Sequence, residues 1–229
     1  MTLAELVTVM AVGSIVLGLI GTVTVGLMRH DAKNLIRQNR TDGIRQISVW
    51  LGDALAYAAP EPPAADGTTS SAAVFEIAEP NEMKFSSALP VAGVPDGGQI
   101  SQVRLVLGEQ CWPVGTPDDP GTLHRCVQSP KQGSDGKWSM CAWGDSACSP
   151  DLFDDLVVAR GVDTTSDLFS YFVRDAAGSI LPGQGTVSGG ALGSIAAVEM
   201  LVTVVGEDDE DKIQATVFKR FTIREWERM

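Results

Sequence analysis

The chain has 229 residues and a formal net charge of −12, but the charge is unevenly distributed. Residues 29–45 carry five basic and two acidic residues, a net charge of +3, whereas residues 46–229 carry 12 basic and 26 acidic residues. Nucleic-acid binding depends on Lys and Arg side chains that neutralise phosphates, so we expect no nucleic acid to bind the acidic C-terminal part. After an N-terminal helical region, about 170 residues remain, enough for one globular domain with its own core.

The first 28 residues are predicted to form a membrane-spanning helix. The stretch Leu6–Met28 holds 23 residues without a charge. At a rise of about 1.5 Å per residue it reaches roughly 35 Å as a helix, enough to cross a bilayer core. Glu5 lies at the start of this stretch, where a carboxylate needs a partner. A cleavable signal peptide would instead carry a basic n-region and a small-residue cleavage site, so the remaining alternative is an ordinary single-pass anchor.

The hexapeptide from Thr2 to Val7, followed by about twenty apolar residues, resembles the mature N-terminus of type IV pilins and type II secretion pseudopilins. In that family a prepilin peptidase cleaves after a Gly, and the new N-terminus is methylated. A glutamate at the fifth mature position then neutralises the α-amino group of a neighbouring subunit. The resemblance implies that Met1, where the family usually has Phe, is the processed and methylated N-terminus, and that Glu5 is the assembly glutamate.

The resemblance also implies a function, a set of partners and a location. The chain would be a structural subunit of a type IV pilus or type II secretion-like filament, and not an enzyme. Its partners would be other pilin subunits, the prepilin peptidase and the membrane assembly platform, with the head outside the cytoplasmic membrane or on a cell-surface filament. The size of the head favours a minor pilin or pseudopilin. The alternatives are the major pilin, or a membrane-anchored surface binding protein that does not polymerise.

Residues 29–59 are predicted to continue the helix as a stem that packs on the head. No proline occurs from Asp31 to Ala58, and apolar residues recur at intervals of three and four, which places them on one helix face. These residues are Ile44, Ile47, Leu51, Leu55 and Ala58. The helix is expected to end near Ala59, because Pro60, Pro62 and Pro63 cannot continue it.

Residues 60–229, called the head, are predicted to form an antiparallel β-sheet. The first expected strands are Ala73–Glu79 and Glu82–Ser87, joined by a turn at Pro80, and a half-buried strand at Gln102–Leu107. The later strands, rich in Val, Ile, Phe and Thr, are expected at Leu156–Val162, Leu168–Arg174, Ile195–Val205 and Lys212–Arg224. The predicted fold class is therefore α+β, with a long N-terminal helix packed on the sheet. The order of the last third resembles the larger minor pilins and pseudopilins of the PilW and GspJ type, which implies a pilin-like fold.

The segment 109–150 is predicted to be an irregular, disulfide-bonded insertion in the head. It is rich in Gly, Pro, Asp and Ser and holds all four cysteines: Cys111, Cys126, Cys141 and Cys148. An even number of clustered cysteines indicates two disulfides outside the cytoplasm. The gaps of 14, 14 and 6 residues differ from the short paired spacings of zinc sites. Three pairings are possible, and we favour Cys111–Cys126 with Cys141–Cys148.

The remaining polar groups indicate neither catalysis nor a cofactor. The two histidines are His30 and His124, and no Gly-x-Ser-x-Gly elbow accompanies them. We expect a solvated acidic hairpin at Glu207–Asp211. The alternative is a Ca²⁺ site, because carboxylate oxygens are the ligands that Ca²⁺ prefers. Its ligands would be Glu207, Asp208, Asp209 and Asp211.

Overall fold

The structure of the chain is a computed structural model. It describes residues 3–59, 73–88, 100–113, 116–132, 138–141, 143, 148–205 and 215–223. The chain divides into two compact units, Met1–Thr41 and Asp42–Met229.

A single α-helix, α1, begins at Leu3 and ends at Ala56. Its C-terminal part buries the apolar face that the sequence predicts, since Ile44, Leu51 and Leu55 are at most 1 % exposed. The helix end is tied to the sheet by the buried side chain of Ser87, whose hydroxyl donates to the carbonyl oxygen of Ala54 at 2.8 Å. This bond satisfies one of the carbonyl groups that a helix leaves without a partner at its C-terminus. The helix thus continues to Ala56, and the apolar face of its C-terminal part is buried.

The larger sheet is antiparallel and has five strands in the order β1-β2-β3-β4-β7. The strands are β1 (Phe75–Ala78), β2 (Glu82–Ser87), β3 (Ser101–Leu107), β4 (Leu123–Gln128) and β7 (Phe153–Ala159). Two strands of two residues each, β5 (Lys131–Gln132) and β6 (Trp138–Ser139), pair antiparallel with each other. A 3₁₀ helix at Pro150–Leu152 precedes β7. The predicted β1–β2 hairpin is present.

The smaller sheet is also antiparallel and has three strands in the order β10-β9-β8. They are β8 (Phe169–Val173), β9 (Ile195–Val204) and β10 (Ala215–Thr222), and a second 3₁₀ helix at Gly189–Ser194 leads into β9. Tyr171 joins the two sheets, because its buried hydroxyl donates to the carbonyl oxygens of Glu79 and Glu82 at 3.0 and 3.2 Å. Burial raises the pKa of this hydroxyl, and the charges of Glu82 and Glu79 act in the same direction.

One hydrophobic core lies between the C-terminal part of α1 and the two sheets. The helix contributes Ile44 and Leu51, the larger sheet Phe85, and the smaller sheet Tyr171 and Val198. Removal of apolar surface from water is the main force that holds such a core together. The α+β class with an antiparallel sheet is therefore present, with a second sheet that the sequence did not predict as separate.

Two predictions about the head are wrong in detail. The segment 109–150 is not irregular throughout, because β4 lies inside it and pairs with β3 and β7 in the larger sheet. The strand β3 was expected to be half-buried, but its first six residues are all buried. The reason is that α1 covers one face of this strand, while the cysteine segment covers the polar side chains of the other face.

Candidate functional site

The N-terminal part of α1 exposes apolar side chains on every side. Within it, the 24 residues Val12–Leu35 are long and apolar enough to cross a membrane, and none of the residues in the most apolar window is buried inside the protein. This span overlaps the predicted stretch Leu6–Met28 and extends beyond it into the basic residues. Glu5 lies in the first turns of α1, whereas Met1 lies outside the described residues.

The four cysteines form two pairs at disulfide distance, Cys111 with Cys126 and Cys141 with Cys148. These are the two pairs that the sequence analysis favours. Cys126 lies in the middle of β4 and Cys111 in the loop that precedes this strand, and both are fully buried. The first disulfide therefore fastens the loop to β4, the neighbour of the edge strand β7 in the larger sheet.

The polar side of the larger sheet carries charged side chains beneath the cysteine segment. Side chains alternate between the two faces of a strand, so Gln102 and Arg104 of β3 share a face with His124 and Gln128 of β4. Arg104 is 4 % exposed and donates to Glu82 at 2.6 Å and to Glu109 at 2.8 Å. Burial by itself lowers the pKa of Arg104, but the hydrogen bonds and charges of the two glutamates outweigh it and raise the pKa.

Trp143 covers this polar network from the segment between the second pair of cysteines. Its indole N–H donates to Gln102 at 2.7 Å, and the ammonium of Lys84 lies 5.6 Å from the ring centroid. The guanidinium of Arg104 lies 5.9 Å from the same ring, within the range of cation–π attraction. Phe153 packs edge-on against Trp143, with ring centroids 5.2 Å apart. Trp143 thus fills a small local core, which is one of the roles that Trp residues take in loop-rich segments.

A cluster of His124 and two carboxylates lies at the other end of β4. The imidazole Nε2 is 2.8 Å from Asp118 in the loop before β4, and Nδ1 is 2.9 Å from Asp155 in β7. The second oxygen of Asp155 accepts the backbone N–H of Cys111 at 3.3 Å. The pKa of Asp118 is lowered, first by the backbone N–H of Asp119 and then by the hydrogen bond from His124, while burial opposes the shift. We call Asp118, His124 and Asp155 the histidine clasp.

The chemistry of the histidine clasp is defined by its two carboxylates. Both ring nitrogens face carboxylate oxygens, so the imidazole links two acids and does not activate a hydroxyl or thiol. The sulfur of Cys111 and the nearest ligand atoms of His124 and Asp155 lie within 4.8 Å of one another, a spacing that could suit a metal ion. Cys111 is bonded to Cys126, however, and a cysteine ligates a metal only as a thiolate. The acidic run Glu207–Asp211, the sequence-predicted alternative for Ca²⁺, lies outside the described residues.

The sequence points to His124 as a candidate residue but does not reveal its partners Asp118 and Asp155. The available signal was its spacing of two residues from Cys126, which places both side chains on one face of a strand. Asp155 lies 31 residues away and reaches His124 only because β7 pairs with β4.

Comparison with protein-family models finds no match to this chain, and comparison with the curated proteins finds none either.

Proposed function

We propose that the chain is a structural subunit, a minor pilin or pseudopilin, of a type IV pilus or type II secretion-like filament. The observation that carries this proposal is the position of Glu5 at the start of a long apolar helix. The same helix buries its last turns in an antiparallel β head with two cysteine pairs. The exposed apolar residues of the first half of α1 support the proposal, since they need either lipid or neighbouring helices to cover them.

Glu5 would direct assembly through its charge. A carboxylate inside a membrane is costly unless it is paired. In a filament, the N-terminal ammonium of a neighbouring subunit would supply the pair, and the low dielectric would strengthen their attraction. Removing one partner leaves an uncompensated charge, a loss of about 3–5 kcal/mol for a buried pair. Glu5 would therefore act as a structural requirement for polymerisation without any catalytic role.

The test of this role is incorporation of Glu5→Leu into filaments. The substitution removes the charge and keeps the helix apolar, so the protein should insert into the membrane normally and be missing from sheared filaments. Asp31→Asn is the matched control, because it removes one carboxylate from the same helix outside the uncharged stretch. Incorporation of Glu5→Leu at the level of Asp31→Asn would refute the assembly role.

Two separate experiments test the N-terminal processing and whether the chain is a minor or the major subunit. Mass analysis of the N-terminus should find a methylated Met1 after cleavage by the prepilin peptidase, whereas an unmethylated, unprocessed N-terminus would oppose the proposal. The size of the head favours a minor subunit over the main one. Stoichiometry in sheared filaments decides this point, because a dominant band at the mass of this chain would identify the major pilin.

A second candidate function is a single-pass anchored surface binding protein that does not polymerise. The observation that favours it is the span Val12–Leu35, which is sufficient by itself to hold the head at a membrane. Crosslinking between cysteines introduced at Val12 and at other positions of the exposed apolar helix distinguishes the two functions. Filament packing should give a ladder of products, whereas an isolated anchor should give none above the monomer.

A further inference from the structure

We propose that a row of basic residues at the end of the apolar span binds the phosphate headgroups of anionic lipids. The row consists of Arg29, Lys33, Arg37 and Arg40, and we call it the basic stripe. Its first two residues lie inside the span Val12–Leu35. The proposal requires this span to lie in a membrane, as both candidate functions do. It goes beyond both of them, because neither assigns a ligand to this face of α1.

The four positions of the basic stripe share one face of the helix. α1 is continuous from Leu3 to Ala56, and the four positions follow one another at intervals of four, four and three residues. At about 100° per residue they lie within about 80° of one another around the helix axis. Arg29 and Lys33 are both exposed. The helix therefore aligns four basic positions over a length of about 16 Å.

The acidic residues of the same segment lie on the opposite face. Asp31 and Asp42 stand about 170° from the centre of the basic stripe. Neither acid stands three or four residues from a member of the stripe, the spacing at which opposite charges support each other along a helix. The members of the stripe stand at that spacing from one another, and like charges so placed destabilise a helix. An anion bound on this face would offset that repulsion, so the segregation of charge favours a ligand over a merely solvated helix.

The position of the basic stripe along α1 fits the headgroup layer of a bilayer. Arg29 lies about 9 Å before the end of the span at Leu35, and position 40 lies about 8 Å beyond it. The headgroup layer is about 5–8 Å thick on each side of the hydrocarbon core. Long basic side chains near a helix end extend their charge from the core into that layer. Beyond the layer, the attraction of an anionic surface acts over about 8 Å at physiological salt. All four positions are therefore within reach of lipid phosphates.

Two kinds of acidic partner are compatible with this charge, an anionic lipid surface and the acidic head of a second copy. Residues 46–229 carry 12 basic and 26 acidic residues. Continuity with the span favours the lipid. Arg29 and Lys33 belong to the span, and none of the residues in its most apolar window is buried inside the protein. Lipid that covers these apolar residues places its headgroups beside the two basic side chains, and a protein head would have to displace that lipid first.

The experiment measures which lipid contacts the end of the span in the full-length protein reconstituted in bilayer nanodiscs. Met28→Trp introduces a tryptophan beside the basic stripe, at a side chain that is 66 % exposed. The chain without this substitution supplies the background signal of the five native tryptophans. In mixtures of phosphatidylglycerol and phosphatidylcholine, one of the two lipids carries brominated acyl chains, which quench the introduced tryptophan when they contact it.

We expect phosphatidylglycerol to be preferred about 25-fold, because two basic residues near a phosphate contribute about fivefold each. The preference should disappear in about 1 M salt, where charges are screened beyond about 3 Å.

Three variants in the Met28→Trp background identify the residues responsible. Arg29→Gln removes one charge from the basic stripe and should lower the preference about fivefold. Lys33→Asn combined with Asn34→Lys moves one charge about 100° away from the stripe at unchanged net charge, and it should lower the preference by a similar factor. Arg45→Gln is the matched control, because it removes one charge from an exposed position of the same helix outside the stripe. It should keep the preference of the unmodified stripe.

Equal quenching by the two lipids would overturn the proposal. A preference that Arg45→Gln lowers as much as Arg29→Gln, or that survives the transfer of the charge to position 34, would also overturn it. Nanodiscs of phosphatidylcholine alone test the second copy as the partner. Self-association that Arg29→Gln abolishes there, without any lipid preference in the mixtures, would assign the stripe to the acidic head instead. Failure of the protein to enter nanodiscs would refute the proposal together with the membrane span, whereas normal filament incorporation of Glu5→Leu would refute the assembly role alone.

Discussion

Gly43 in α1 lies at a close approach between the helix and the edge strand β7. A Cβ added at this position would lie 2.8 Å from the carbonyl oxygen of Val158, closer than real Cβ atoms approach a neighbour. Gly43→Ala should therefore force the helix or the strand to move. Because the contact is with backbone, no side-chain rotation can relieve it.

Two effects of opposite sign determine how much Gly43→Ala changes the free energy of unfolding. Replacing Gly by Ala inside a helix stabilises it by about 1 kcal/mol, whereas an overpacked contact in a well-packed region costs about 1–3 kcal/mol. The contact is backbone to backbone, so the upper part of this range applies. The expected net loss is about 1–2 kcal/mol, or a decrease of about 0.5–1 M in the urea midpoint for a typical slope of about 2 kcal/mol per M.

Urea unfolding of the full-length protein in detergent, followed by tryptophan fluorescence, measures this loss. Gly26→Ala is the matched control, since a Cβ at that position meets no atom within 4 Å, and it should leave the midpoint unchanged or raise it through the higher helix propensity of Ala. A Gly43→Ala midpoint equal to or above that of the wild type would show that the helix does not approach β7 as closely as described.

The remaining predictions concern the core, the link between the sheets, the disulfides and the loss of stability at acid pH. Leu51→Ala should lower the free energy of unfolding by about 2–5 kcal/mol, because it leaves a cavity at a fully buried position. Tyr171→Phe should lower it by about 1 kcal/mol through loss of the hydroxyl bonds to the β1–β2 turn. Chain entropy gives about 3 kcal/mol for the Cys111–Cys126 loop, with a separation of 15 residues, and about 2.4 kcal/mol for the Cys141–Cys148 loop, with a separation of 7; double Cys→Ser variants in calorimetry should rank in that order. The lowered pKa of Asp118 means that its stabilisation is present above the usual carboxyl pKa and is lost on acidification, so an Asp118→Asn melting curve should approach that of the wild type as the pH falls below about 4.

The elements that could be predicted are those whose signal is local. The spacing of Ile44, Leu51 and Leu55 identifies the buried face of the stem, because a helix repeats every 3.6 residues. The β1–β2 hairpin is similarly indicated by two short β-rich runs around Pro80. In both cases the pattern lies within about twenty residues of sequence. The residues adjacent in sequence are therefore enough to determine the helix face and the hairpin.

The features that the sequence does not predict depend on partners that are distant in sequence. β4 (Leu123–Gln128) lies among Gly, Pro and cysteine residues that indicate a loop, and its place in the sheet is set by pairing with β3 and β7. Burial of Arg104 was equally hidden, since a strand with polar residues on one face normally turns that face to water. Only the glutamates of neighbouring segments and the covering Trp143 make its burial possible. His124 depends in the same way on Asp155.

The position of β4 has a practical consequence for anyone who labels this protein. β4 lies between β3 and β7, so the cysteine segment is part of the sheet itself. Excising it would remove the strand that pairs β7 with the rest of the larger sheet. A tag or fluorophore belongs instead at the turn Ala176–Gly178, whose three residues are exposed. Exposed turns of this kind tolerate insertions well. A label there would let the protein be followed in cells while the sheet, both disulfides and the helix remain as they are.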